Sequence, residues 1–172
     1  MTRRNPDRAA ARYEVAHVKG FLTWSFVRLG FERGYIAEDQ VVQHAVEVVS
    51  RLPDPSALEL ELAGADGLAS SEIRELLRRL SPGEPSMDEI DRWRLCILVE
   101  LRGRVTDPEL LLREINDVYR LFDYPPDMST AVSYMPVEGG RHAEVGTALL
   151  SPIKALDDVI DALDARLAPG KR

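Results

Sequence analysis

Four aspartates, Asp157, Asp158, Asp161 and Asp164, follow one another at spacings i, i+1, i+4 and i+7. Paired carboxylates can share acid–base or metal work. On a helix, however, this spacing puts all four on one face, turned away from Ile153, Leu156, Ile160 and Leu163. The pattern reads first as a solvated stripe and, more sharply, as a surface complementary to a basic partner, with Glu144 extending it. A second concentration is FDYPPDMSTAVSYMP, residues 122–136. Three rings, two methionines and three prolines crowd here beside two aspartates, in a chain that is 6% aromatic. Asp123 and Asp127 bracket Tyr124-Pro125-Pro126. Two prolines break a preceding helix and fix a corner, and Asp127 is placed to cap a short helix from Met128 to Tyr134 that Pro136 closes. Tyrosine and methionine beside acids also suit an adaptable binding surface, formed by Asp123, Tyr124, Asp127 and Tyr134.

The remaining reactive side chains are sparse. His17, His44 and His142 stand at no metal-ligand spacing from one another or from Cys96, so no metal site is expected. His44 lies one helical turn from Glu47, a pair able to orient an imidazole for a hydrolase. Cys96, amid Leu95, Ile97 and Leu98, reads as a buried thiol. No nucleophile elbow, P-loop or dinucleotide fingerprint occurs, and Gly139-Gly140 is too short to cradle a phosphate. These residues point to binding rather than to an enzyme, with no catalytic residues and no cofactor expected.

Helices must position them. In TWSFVRLGFERG, Thr23 caps the start, Trp24 to Phe31 give the apolar face and Gly34 ends the helix. EDQVVQHAVEVVSRL follows, with Val41, Val42, Ala45, Val46, Val49 and Leu52 at helical spacing and Pro53 as the stop. Residues 57–62 alternate like a strand but are built of strong helix formers after Pro55, which favours a short helix. SSEIRELLRRL is a helix capped by Ser70 or Ser71. A long apolar helix begins at a Ser86/Glu89 capping box and carries Trp93, and Asp107-Pro108 starts another. The last helix runs from about Thr147 to Leu167, with Pro152 a point where it kinks or restarts. The expected fold is all-α, a single domain over 13–168 of about seven or eight helices, arranged as an orthogonal bundle or a short solenoid-like array. Residues 1–12 read as a mobile Arg-rich arm.

Charge distribution says what kind of partner fits. The net charge is −7, but the arm is +3 and Lys171-Arg172 add +2, leaving 16 basic and 28 acidic residues between them. A body near −12 repels nucleic-acid phosphates and attracts basic proteins. No apolar run approaches a membrane span, no secretory h-region follows the N-terminal arginines, and a single cysteine fits a reducing, cytoplasmic compartment. Ten of the eleven aromatics fall in residues 13–35 and 119–134, with Trp93 alone between, which suggests that both blocks pack over it.

Trp93, Asp107-Pro108, Tyr119, Phe122-Asp123-Tyr124-Pro125 and Tyr134-Met135-Pro136 together resemble a bacterial family known as domain of unknown function 2247. Trp24, Gly30, Gly34 and Asp39 are similar to its N-terminal half, so that the resemblance covers roughly residues 21–136. An acidic residue expected before Phe122 is Leu121 here. The resemblance implies an all-α bacterial domain related to immunity proteins, which bind and neutralise toxins. The expected function is therefore a protein-binding module that occludes a basic toxin domain, with a non-catalytic adaptor in a bacterial assembly as the alternative.

Overall fold

The computed structural model describes residues 6–132 and 145–168. Among these the chain is all-α: α1 (Pro6–Val18), α2 (Trp24–Arg33), α3 (Glu38–Arg51), α4 (Ala57–Ala63), α5 (Ser70–Leu80), α6 (Met87–Arg104), α7 (Pro108–Leu121), a 3-10 helix (Pro126–Ala131) and α8 (Val145–Leu167). It forms two compact units, Met1–Trp93 and Arg94–Arg172, with the division inside α6.

Local chemistry sets most boundaries. The Thr23 hydroxyl accepts the Phe26 N–H at 3.3 Å to start α2, and Gly34 ends it at φ 73°, a left-handed conformation that costs glycine nothing. Ser86 and Glu89 exchange the two bonds of a capping box at 3.2 and 2.7 Å. Asp107 accepts from Glu109 and Leu110 ahead of Pro108, as its sequence implies. Residues 57–63 are helical, closed at their start by a Ser56/Glu59 box. Propensity and capping outweigh the alternation there.

Several expectations are corrected. The segment read as an arm is helical from Pro6 onward, because Ala9, Tyr13 and Ala16 recur at helical spacing and are buried. Helix α5 starts one residue earlier, at an Ala69 N-cap whose N–H is taken by Glu72 at 2.8 Å, while Ser70 donates to Glu38 instead. Helix α3 buries Gln40, Val41, His44 and Ala45, whereas Val46 and Leu52 are exposed. Its inner face is thus rotated toward polar residues. Helix α8 begins at Val145 and its backbone runs through Pro152 without a break. The short helix after the two prolines is a 3-10 turn that starts at Pro126, so Asp127 lies inside it and cannot cap it.

The core of the first unit is built around Trp93, which is fully buried. Its indole stacks on Phe26 with centroids 4.2 Å apart and planes 4° from parallel, and its Nε1 donates to the Phe26 carbonyl at 2.8 Å. Tyr35 closes on the same ring at 5.5 Å. Four residues after Phe26, on the same face of α2, stands Gly30. A methyl group there would meet the Trp93 ring, with Cε2 at only 2.6 Å. Helix α2 also packs on α5, and α3 on α4. In the second unit, α8 packs against the 3-10 helix and α7. Leu156, Val159, Leu163 and Leu167 supply its buried face.

The Gly30 contact gives a direct test. Gly30→Ala should lower unfolding stability by about 3 kcal/mol, because the added methyl overlaps an indole already held by the Phe26 stack and by its N–H bond. Gly103→Ala, at a helical site with open space around it, should be neutral or gain up to about 1 kcal/mol. Urea titration of both variants separates the two effects.

Candidate functional site

The turn between α7 and the 3-10 helix is the most unusual backbone among the described residues. Asp123 and Tyr124 both have φ 58°, left-handed values adopted here by two consecutive residues that are not glycine. Each such residue costs roughly 1–2 kcal/mol, and strain of this kind persists only where its surroundings enforce it. Three bonds do so: Phe122 N–H to Val118, Asp123 N–H to Arg120 and Tyr124 N–H to Tyr119, at 3.1, 3.2 and 2.9 Å. The Tyr124 ring then meets Tyr119 edge-on at 5.3 Å, yet 53% of the residue remains exposed. Leu121, the departure from the family pattern, is 51% exposed at the end of α7.

The aspartates divide by role. Asp127 is held from within: both its oxygens accept from Arg94, at 2.5 and 2.7 Å, and Arg94 is buried. This bidentate pair anchors the 3-10 helix to α6 and explains why Asp127 does not cap. Asp157 is similarly engaged, accepting from Arg102 at 2.8 and 3.3 Å. Asp158 pairs along its own helix with Lys154 at 3.0 Å, a surface pair. Asp158 and Asp161 are exposed and Asp164 half-buried. The stripe therefore exists as a face of α8, although its first member is tied to α6. Tyr134 lies outside the described residues, as do the Tyr-Met-Pro element and the Gly139-Gly140 loop.

A second arrangement, in the first unit, was only half visible in the sequence. A cavity of about 370 Å³ is walled by His17, Gly20, Leu22, His44, Glu47 and Arg51, with Val48 and Leu52. The Glu47 carboxylate stands 3.5 Å from His17 and 3.8 Å from Arg51. The His44–Glu47 pairing expected from the one-turn spacing is replaced by a bridge to α1, since Nδ1 of His44 is buried without a hydrogen-bond partner. His44 is only 5% exposed and its ring meets Trp24 edge-on at 4.7 Å. The indole N–H of Trp24 is already given to Glu59 at 3.1 Å. Beside the cavity, Tyr13 stacks on His17 at 6.3 Å and buries its own hydroxyl without a partner. The Tyr13 phenol is pushed up by burial and by Glu47. Burial pushes His44 down to about 4, and His17 and Arg51 act in the same direction against Glu47. The missed signal was the Tyr13–His17 spacing of one turn, which would have placed His17 on a helix facing α3. Among the described residues no group of three or more His, Cys, Asp or Glu could hold a metal ion, and no helix is long and apolar enough to cross a membrane.

A family model described as an uncharacterized protein conserved in bacteria (DUF2247) covers residues 13–157. This span reaches beyond both ends of the residues that carried the resemblance. No curated protein and no solved structure matches the chain.

Two variants test this geometry. Asp127→Asn should cost roughly 2–3 kcal/mol, since a buried guanidinium loses its bidentate anion. His44 sets a pH dependence with a definite sign. Its folded-state value of about 4 lies below the unfolded value of 6.5, so only the unfolded chain gains the proton as pH falls between them. Stability from this group is complete above pH 6.5 and declines toward pH 4 by up to roughly 3 kcal/mol. Unfolding of wild type and His44→Gln across that range should show the excess loss only in wild type.

Proposed function

We propose that this chain, which belongs to the bacterial DUF2247 family, is a non-catalytic protein-binding module acting in the cytoplasm, an immunity-type inhibitor that binds and neutralises a basic toxin domain. The observation that carries the reading is the left-handed Asp123–Tyr124 turn. It holds a tyrosine ring half in solvent at the cost of backbone strain, with an acid beside it and exposed Leu121 just before it. Rigid, amphipathic tyrosine is the type of residue that anchors interfaces, because it contributes large contact area at small entropic cost. The elements on either side of the turn, α7 and the 3-10 helix, both pack on α8, whose outer face adds exposed Asp158 and Asp161. A carboxylate-rich rim around an aromatic anchor would steer a basic partner and speed its docking.

The test is recovery of proteins that stay bound to the tagged chain in its native bacterium, titration with any basic toxin domain found there, and rescue of cells that express that domain. Tyr124→Ala should weaken binding at least tenfold, chiefly through faster dissociation. The double reversal Asp158→Lys/Asp161→Lys should slow association and flatten its salt dependence. Unchanged affinity in both variants removes this face from the function, and a stable complex with a non-toxic protein would favour the adaptor role.

A further inference from the structure

A groove in the first unit has no part in that reading. It lies between the first turns of α3 and residues 65–68, which lead into α5, and holds about 440 Å³. That volume is in the range of small-molecule sites. We infer that the groove binds a straight-chain aliphatic diamine, a small dication with a methylene body. The apolar part of its lining is half-buried Val42 and Leu68 with buried Ala65 and Ile73. The charged part is of one sign: Glu38 and Asp39 on the α3 wall, Asp66 on the loop wall, and no basic residue.

The carboxylates set the class of occupant. Asp39 and Asp66 are exposed, and no ion pair engages either of them among the described residues. Asp39 accepts from the Gln40 amide at 2.7 Å, a neutral donor that leaves the charge uncompensated. The Ser70 hydroxyl donates to Glu38 and so ties α3 to the start of α5. The acids do not converge on a point, since among the described residues no three His, Cys, Asp or Glu could hold a metal ion. A compact inorganic cation therefore fits poorly, whereas a chain charged at both ends meets an acid on each wall. Alkyl stems lie along apolar surface while their charged heads stay in water, which matches this lining. Anions are repelled by it, and a neutral ligand would leave the acids unused.

The probes are butane with an amine at both ends, butylamine, ammonium and the matching butanediol, added to the full chain. The methyl resonances of Val42 and Leu68 and the amide of Gly67 follow binding, at a low and fixed ionic strength that limits screening. The diamine should bind with millimolar affinity, about threefold tighter than butylamine. Ammonium and the diol should leave the resonances unmoved. The double variant Asp39→Asn/Asp66→Asn should weaken diamine binding about tenfold, roughly threefold for each carboxylate. The comparison of probes on wild type needs no variant, so the test stands even where the substitutions disturb folding. Absence of a shift at these residues up to tens of millimolar overturns the site. Equal binding of the diol reduces the groove to an unspecific apolar void, and equal binding of ammonium reduces it to a diffuse ion atmosphere. Undiminished diamine affinity in the folded double variant places the amine elsewhere. Tighter binding of a lysine blocked at its α-amine and carboxyl assigns the groove to a protein side chain instead. Every lining residue precedes Trp93, within the first unit, so none of these results bears on Tyr124 or α8.

Discussion

The indole of Trp93 comes close against α2 because Gly30 offers no side chain to keep it away. That approach lets Phe26, one turn earlier, stack on the ring and also receive its N–H through a backbone carbonyl. Buried tryptophan combines a large apolar area with one donor that must be satisfied. Here both needs are met by a single turn of one helix. Tyr35, just past the Gly34 cap, reaches the ring only because α2 stops where it does. The cap, the glycine and the stacked ring form one constraint, and the core of the first unit is arranged around it.

The second unit relies on polar pairing to hold an irregular segment. Arg94 brings a charge into the interior, and Asp127 meets it with both oxygens from the 3-10 helix. Breaking such a pair is costly whereas forming it yields little net stability. Its value is therefore geometric: it fixes where the chain goes after two prolines. Glu100 and Arg104, at 2.6 Å with Glu114 alongside, do comparable work between α6 and α7. The left-handed turn at Asp123 and Tyr124 sits between these fixed points, which is how a strained backbone is kept in place.

Caps and apolar periods made most of the fold readable. Thr23, Gly34, Ser86 with Glu89, and Asp107-Pro108 each announce a helix end through a bond the residue can make alone, and each is where its type implies. What depended on distant partners was less legible. Asp127 has the chemistry of a cap, but its destination is set by Arg94, thirty-three positions away in sequence. The face that α3 buries could not be chosen by hydrophobicity, because its valines fill a broad arc and the buried side lies at one edge of that arc, taking in Gln40 and His44. Residues 6–12 lacked a strong apolar stripe because the one buried position among them, Ala9, is an alanine, whose small size hides the pattern. The acidic stripe was legible as a face of α8, though not the engagement of Asp157 by Arg102.

The placement of the two tryptophans has an optical consequence. Trp24 and Trp93 both precede residue 94, so every indole belongs to the first unit and the second carries only tyrosine and phenylalanine rings. Emission excited at the red edge of the absorption band therefore reports on one half of the molecule and is silent about the other. Within that half the two fluorophores differ: Trp93 is sealed from solvent, while Trp24 is only half-buried and lies against an imidazole. A quencher dissolved in water would reach one and spare the other, giving a two-component light signal from a chain whose second half remains dark.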